Sequence, residues 1–113
     1  MAKRNRNPDI EASSGNVFRD LGLPDALEMD TKVRLAVAVN RLLTARHLTQ
    51  VAAAARLSIN QPKVSALRNY KLEGFSVERL MAFLTALGSD VEIRIRPRKR
   101  SPGRIIVQAA SID

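Results

Sequence analysis

The chain has 113 residues, 45% of them apolar, which is enough for one modest hydrophobic core. It has no cysteine, which excludes disulfides, thiolate nucleophiles and cysteine-based zinc sites, and its formal net charge of +8 favours a polyanionic partner such as nucleic acid. Because no apolar run approaches the roughly 20 residues of a membrane span and no apolar signal core follows the N-terminus, we expect a cytoplasmic protein.

The N-terminal part is predicted to be a tail followed by helix. Residues 1–15 lack apolar periodicity and are expected to be disordered, and residues 17–21 fit a short turn of helix that Gly22 and Pro24 end. Asp25 can then cap a long helix that reaches about Arg46. Its apolar stripe consists of Leu35, Val39, Leu42 and Leu43.

Residues 48–68 carry the most informative pattern, two short helices joined by a tight turn. Thr49 is a good N-cap for a first helix to about Arg56, and the small side chains of residues 52–55 allow a second helix to cross closely. Ser58 lies in the turn, where a left-handed conformation would cost about 1 kcal/mol. Asn60 is a good N-cap for the second helix. The pattern predicts a helix-turn-helix.

The second helix can turn Val64 and Leu67 toward the protein and present a short polar face outward. Gln61, near its N-terminus, could pair with adenine and contribute about 1 to 3 kcal/mol of discrimination. The predicted base-reading group is Gln61, Pro62, Ser65, Ala66 and Asn69, the predicted backbone contacts are Gln50, Lys63 and Arg68, and Asn60 completes the DNA-binding set. The alternative is a plain helical hairpin whose polar face is only solvated.

The C-terminal part is predicted to contain one more helix and a β-hairpin. Ser76 can cap the helix and Gly88 can end it, with an apolar stripe of Val77, Leu80, Met81, Leu84 and Leu87. Beyond it, apolar and charged residues alternate as in a strand, and residues 104–108 form a second apolar run. Because an isolated hairpin is marginal in water, we predict dimerisation through Val91, Ile93 and Ile95, with a self-contained hairpin on a monomer as the alternative.

A basic run without any acidic residue lies in this C-terminal part. It consists of Arg94, Arg96, Arg98, Lys99, Arg100 and Arg104. Such a run can contact the DNA backbone or an acidic or RNA-like surface, or it can be a solvated tail that only improves solubility.

No pattern indicates catalysis, a cofactor or a metal site. His47 is the single histidine, and the isolated glycines do not form a phosphate-binding loop. The sequence therefore predicts a protein that is not an enzyme.

Four stretches of the chain together resemble the XRE/Cro-like helix-turn-helix family. They are Leu48-Thr49-Gln50, Ser58 to Leu67, Gly74 to Leu80, and Ala86-Leu87-Gly88. Within that family the chain is most similar to small HigA-like antitoxin-type regulators, which often begin with a phrase like residues 17–23 and end with one like residues 90–93. The match covers about residues 16–97. It departs at Ser58, where a turn glycine is common, and at Ala53, where many relatives have leucine.

The resemblance implies a mainly α fold, a five-helix Cro/repressor-like bundle with a short C-terminal β-strand or hairpin. It divides the chain into the tail 1–15, a DNA-binding domain 16–89 and a dimerising, basic C-terminal segment 90–113. It also implies a cytoplasmic homodimer that binds double-stranded DNA, and a RelE/HigB-type toxin as partner.

The predicted function is sequence-specific regulation of transcription, as an antitoxin-type autorepressor on a palindromic operator. One alternative is a protein-interaction module that neutralises a toxin through residues 16–30 or the basic C-terminus. Another is a basic RNA-binding protein. A sequence-specific regulator loses DNA binding when defined base pairs are changed. Charge-driven binding does not depend on base sequence and weakens uniformly with salt.

Overall fold

A computed structural model describes residues 25–109 of the chain. Four α-helices lie in this part: α1 (Asp25–Ala45), α2 (Gln50–Leu57), α3 (Gln61–Arg68) and α4 (Val77–Ala86). The described fold is therefore mainly α, with a helix-turn-helix formed by α2 and α3. The predicted tail 1–15 and the predicted first helix turn at 17–21 lie outside the described residues, so the described part carries four of the five expected helices.

Three helices begin at the predicted N-caps. The side chains of Thr49, Asn60 and Ser76 accept hydrogen bonds of 3.1, 2.9 and 3.0 Å from the backbone N–H three residues further on. Each cap satisfies a donor that the first turn of a helix leaves unpaired, which contributes about 1 kcal/mol. Local chemistry thus fixes where α2, α3 and α4 start.

All four helices end with the same backbone closure. An N–H just past each helix bonds back to the carbonyl five residues earlier, as in Leu48 to Leu43 at 3.1 Å and Ile59 to Ala54 at 3.0 Å. The closure requires a left-handed residue, and these are His47, Ser58, Tyr70 and Gly88, with φ of 54°, 57°, 59° and 88°. Ser58 thus adopts the left-handed conformation, although this costs a residue with a Cβ about 1 kcal/mol.

The core lies where α1 packs against α3 and α4, and α2 packs against α3 and α4. The predicted stripe of α1 is buried, as are the stripe residues of α4 except Met81, which is half-buried. Ala53, where relatives often have leucine, is buried in the same cluster. None of the helices in residues 25–109 is long and apolar enough to cross a membrane.

A buried lysine fastens the loop after α3 to α1. Lys32 Nζ lies 3.7 Å from Glu28 Oε2 and donates to the Leu72 carbonyl at 3.5 Å. Leu72 itself is 1% exposed. The loop after α3 is therefore held by the burial of Leu72 and by the hydrogen bond from Lys32, whose carboxylate partner Glu28 also lies on α1.

The predicted C-terminal strands are wrong for the chain as the structure describes it. Residues 90–109, here called the C-terminal arm, contain no strand, and their backbone groups have no backbone partner among the described residues. Val91, near the start of the arm, and Val107, near its end, pack against the core. Ile93 and Ile95, which lie between them in the chain, are 75% and 92% exposed. The expected hairpin is therefore open.

Charge gives a physical reason for the open arm. Its two limbs face each other across a groove of about 370 Å³ that is lined by basic side chains from both limbs. Like charges that face each other across a strand pair destabilise it. The basic lining consists of Arg96, Arg98, Lys99 and Arg104.

Ser58→Gly should stabilise the fold. Glycine adopts the φ of 57° without a Cβ clash, so we expect the free energy of unfolding to rise by about 0.5 to 1 kcal/mol in urea titrations. Ser58→Ala is the control, because it removes the hydroxyl and keeps the Cβ. An equal gain in both variants would show that the backbone conformation is not the cause.

Candidate nucleic-acid interface

The N-terminal turn of α3 is accessible from outside the protein. Gln61, Pro62 and Lys63 are exposed, while Val64 and Leu67 are 1% and 0% exposed and fasten the opposite face to the core. Gln61 has no side-chain hydrogen bond among the described residues, so its amide is available to an external partner. Gln50, at the start of α2, is likewise exposed.

Two asparagines of the predicted set have structural bonds at the two ends of α3. Asn60 Oδ1 accepts from the Lys63 N–H at 2.9 Å, and Asn69 Nδ2 donates to the Ser65 carbonyl at 2.8 Å. Both side chains remain exposed. Asn69 is thus held in a fixed orientation, with its Oδ1 and one amide hydrogen still available.

The outward face of α3 is narrower than the sequence suggested. Ser65 and Ala66 are half-buried, and Ala66 packs against the hydrophobic core. Within the predicted base-reading group, the exposed polar side chains are therefore those of Gln61 and Asn69, near the two ends of the helix.

Lys63 lies beside an aromatic pair. Its Nζ is 5.5 Å from the centroid of the Phe75 ring, which meets Phe83 edge to face at 5.9 Å. Phe75 is buried but Lys63 is exposed, and a cation–π contact of an exposed cation gains about 0.5 to 1 kcal/mol, so a phosphate must compete with that contact for the ammonium group. The ring nevertheless keeps the charge close to the start of α3.

Arg68 contacts α1. Its Nη1 donates to the Asn40 carbonyl at 3.1 Å and to Thr44 Oγ1 at 3.2 Å. The side chain is exposed as a whole, so the guanidinium is held against α1 on one side and remains accessible on the other.

Sequence reasoning missed the contribution of α1 to this surface. Asn40 is 8% exposed, and its Nδ2 donates to the Leu67 carbonyl at 3.1 Å. A signal was present, because Asn40 is a polar residue at helical spacing between Ala36 and Leu43, on the buried side of the helix. A lone amide in an apolar stripe indicates a specific hydrogen-bond partner.

The helix-turn-helix also carries basic residues but no acidic ones. Residues 44–72 contain no aspartate or glutamate, and their basic residues are Arg46, Arg56, Lys63, Arg68 and Lys71. All five are exposed. A surface of this kind attracts the phosphates of nucleic acid without reading their sequence.

Comparisons with known proteins agree with this geometry. Residues 17–96 match the helix-turn-helix domain family. A solved structure described as an XRE family transcriptional regulator is 65% identical, with a TM-score of 0.70 over 77% of this chain and 100% of that chain. The chain belongs to the XRE family of helix-turn-helix proteins. A comparison with curated proteins gives no match.

In helix-turn-helix proteins the second helix commonly enters the major groove and reads base edges with its N-terminal residues. In this XRE-family protein Gln61 and Pro62 occupy the corresponding positions of α3. The end of α3 that helix-turn-helix proteins commonly use to read bases is therefore accessible in this chain.

Gln61→Ala should relax the preference for one base pair in each half-site by about 1 to 3 kcal/mol, because a bidentate amide contact is lost. Gln50→Ala is a matched control and should weaken all duplexes alike. The measurement is anisotropy on a set of singly substituted duplexes. A uniform loss in Gln61→Ala would contradict the proposed docking of α3.

Proposed function

We propose that this XRE-family regulator is a sequence-specific repressor of transcription that binds a palindromic operator as a homodimer in the cytoplasm. The observation that carries the proposal is the exposed Gln61 amide, which has no hydrogen bond within residues 25–109, at the N-terminal turn of α3 in a helix-turn-helix without acidic residues from 44 to 72. Specificity comes from α3, and the surrounding basic residues add attraction that does not depend on sequence.

The C-terminal arm supports the dimer. Residues 90–109 leave backbone N–H and C=O groups without backbone partners in the described part of the chain, and Ile93 and Ile95 are exposed beside them. An extended segment with unpaired backbone groups and exposed apolar side chains is a template for pairing with another strand. A second copy of the chain can supply that strand and cover the apolar side chains.

A dimer also explains how an eight-residue α3 could give tight binding. Two recognition helices related by a two-fold axis meet half-sites about 34 Å apart, one turn of DNA. The second contact is then intramolecular, which multiplies the affinity of one half.

Ile93→Asp should dissociate the dimer, because it places a charge in the paired apolar strip. Sedimentation velocity should show the mass fall from two chains to one. Val51→Asp is the matched control: Val51 is also β-branched and is 62% exposed, but it lies on α2. An unchanged mass in Ile93→Asp would remove the arm from the dimer interface.

A footprint tests the palindrome. Hydroxyl-radical cleavage of DNA from upstream of the gene should show two protected patches about one helical turn apart, on a sequence with two-fold symmetry. A single patch would contradict binding by a two-fold dimer.

We further propose that the protein is an antitoxin that represses its own operon, with a RelE/HigB-type ribonuclease as partner. The support is the resemblance of residues 17–23 and 90–93 to HigA-like regulators. Co-expression with the product of the adjoining reading frame should restore growth that this product alone prevents. Gln61→Ala should restore it equally, because neutralisation does not need base reading. Failure of the wild-type chain to restore growth would contradict the antitoxin role and leave the repressor role intact.

A further inference from the structure

Three hydrogen bonds join the middle and end of α1 to the end of α3. Asn40 Nδ2 donates to the Leu67 carbonyl, and Arg68 Nη1 donates both to the Asn40 carbonyl and to Thr44 Oγ1. The distances are 3.1, 3.1 and 3.2 Å. The segments joined are 24 to 28 residues apart in the chain, so the contact is tertiary.

The Arg68 guanidinium is held by one of its three nitrogens. Among the described residues, Nε and Nη2 have no hydrogen-bond partner, and the Arg68 and Thr44 side chains are both exposed. Guanidinium N–H groups form a rigid planar fork that matches the oxygens of phosphate. Bracing at Nη1 therefore sets the direction in which the other two nitrogens donate.

We propose that Thr44 is a positioning residue, which together with the Asn40 carbonyl directs Arg68 at a DNA phosphate. α1 is then part of the DNA-binding apparatus as well as of the core. This inference rests on the proposed function, since it requires α3 to lie against DNA.

The advantage of such bracing is entropic. A free arginine side chain loses rotamer freedom when it binds a phosphate, at a cost of about 0.5 to 1.5 kcal/mol per immobilised side chain. A guanidinium already held by Thr44 has lost much of that freedom on folding. Removing the Thr44 hydroxyl should therefore weaken DNA binding although Thr44 itself does not contact DNA.

Asn40 attaches the end of the α3 backbone to α1. Its amide reaches the carbonyl of Leu67, the residue before Arg68, from a buried position, and its Oδ1 has no partner in the described part of the chain. An unpaired buried acceptor costs stability. Asn40 thus holds the end of α3 to α1 at a cost that an apolar residue would avoid.

The test is a double-mutant cycle on DNA binding. Thr44→Val removes the acceptor at nearly constant shape, Thr44→Ser retains it, and Arg68→Gln removes the charge and the fork. Dissociation constants are measured by anisotropy across a salt series, on a duplex from upstream of the gene and on a scrambled duplex. Urea unfolding of each variant is measured alongside.

We expect Arg68→Gln to weaken binding to both duplexes and to lower the slope of log K against log salt by about one, because one phosphate contact is lost. Thr44→Val should weaken binding about two- to tenfold without changing the slope, which is the entropic cost above converted to affinity. Thr44→Ser should bind like the wild type. In the Arg68→Gln background, Thr44→Val should have no further effect.

Two results would overturn the proposal. An unchanged salt slope in Arg68→Gln would make Arg68 a structural brace only, and an equal effect of Thr44→Val in both backgrounds would show that Thr44 does not act through Arg68. Failure of the proposed function looks different: the wild-type chain would then bind the two duplexes equally, whatever the variants do.

Discussion

An eight-residue helix is too short to be stable in water by itself, so the candidate interface depends on the contacts that hold α3 in place. Burial of Val64 and Leu67 supplies the main attachment, and the Asn60 cap fixes the start of the helix. Asn40 fixes its end by a hydrogen bond from α1. With both ends and one face fixed, the remaining face presents Gln61 and Asn69 in defined positions.

The parts of the fold that local chemistry determines could be predicted from the sequence. Thr49, Asn60 and Ser76 start helices because their side chains bond to N–H groups three residues away. These interactions involve neighbours in the chain, so the residues themselves reveal them. The apolar stripes of α1 and α4 follow in the same way from helical spacing.

Contacts between distant segments could not be predicted. The alternation of Val91, Ile93 and Ile95 is typical of a strand, but a strand also needs a partner, and the basic limbs of the arm lie apart. The hydrogen bonds of Arg68 to α1 and the position of Lys63 over Phe75 likewise depend on how helices pack. For the candidate interface, residue types indicated which side chains can bind DNA. The structure added which of those side chains are held by contacts within the protein.

Basic charge and the side chains of α3 have separate roles in the proposed binding of DNA. The five basic residues in 44–72 and the basic arm attract any nucleic acid, whereas the groups that we propose to distinguish base pairs are the amides at the ends of α3.

The most direct test of base reading is competition at physiological salt. The wild-type protein is bound to a labelled duplex from upstream of its gene and challenged with unlabelled upstream or scrambled duplex of the same length and composition. We expect the upstream duplex to compete about a thousand times more effectively, which is the lower end of the range for sequence-specific DNA-binding proteins. Equal competition by the two duplexes would contradict sequence-specific reading of this DNA by α3.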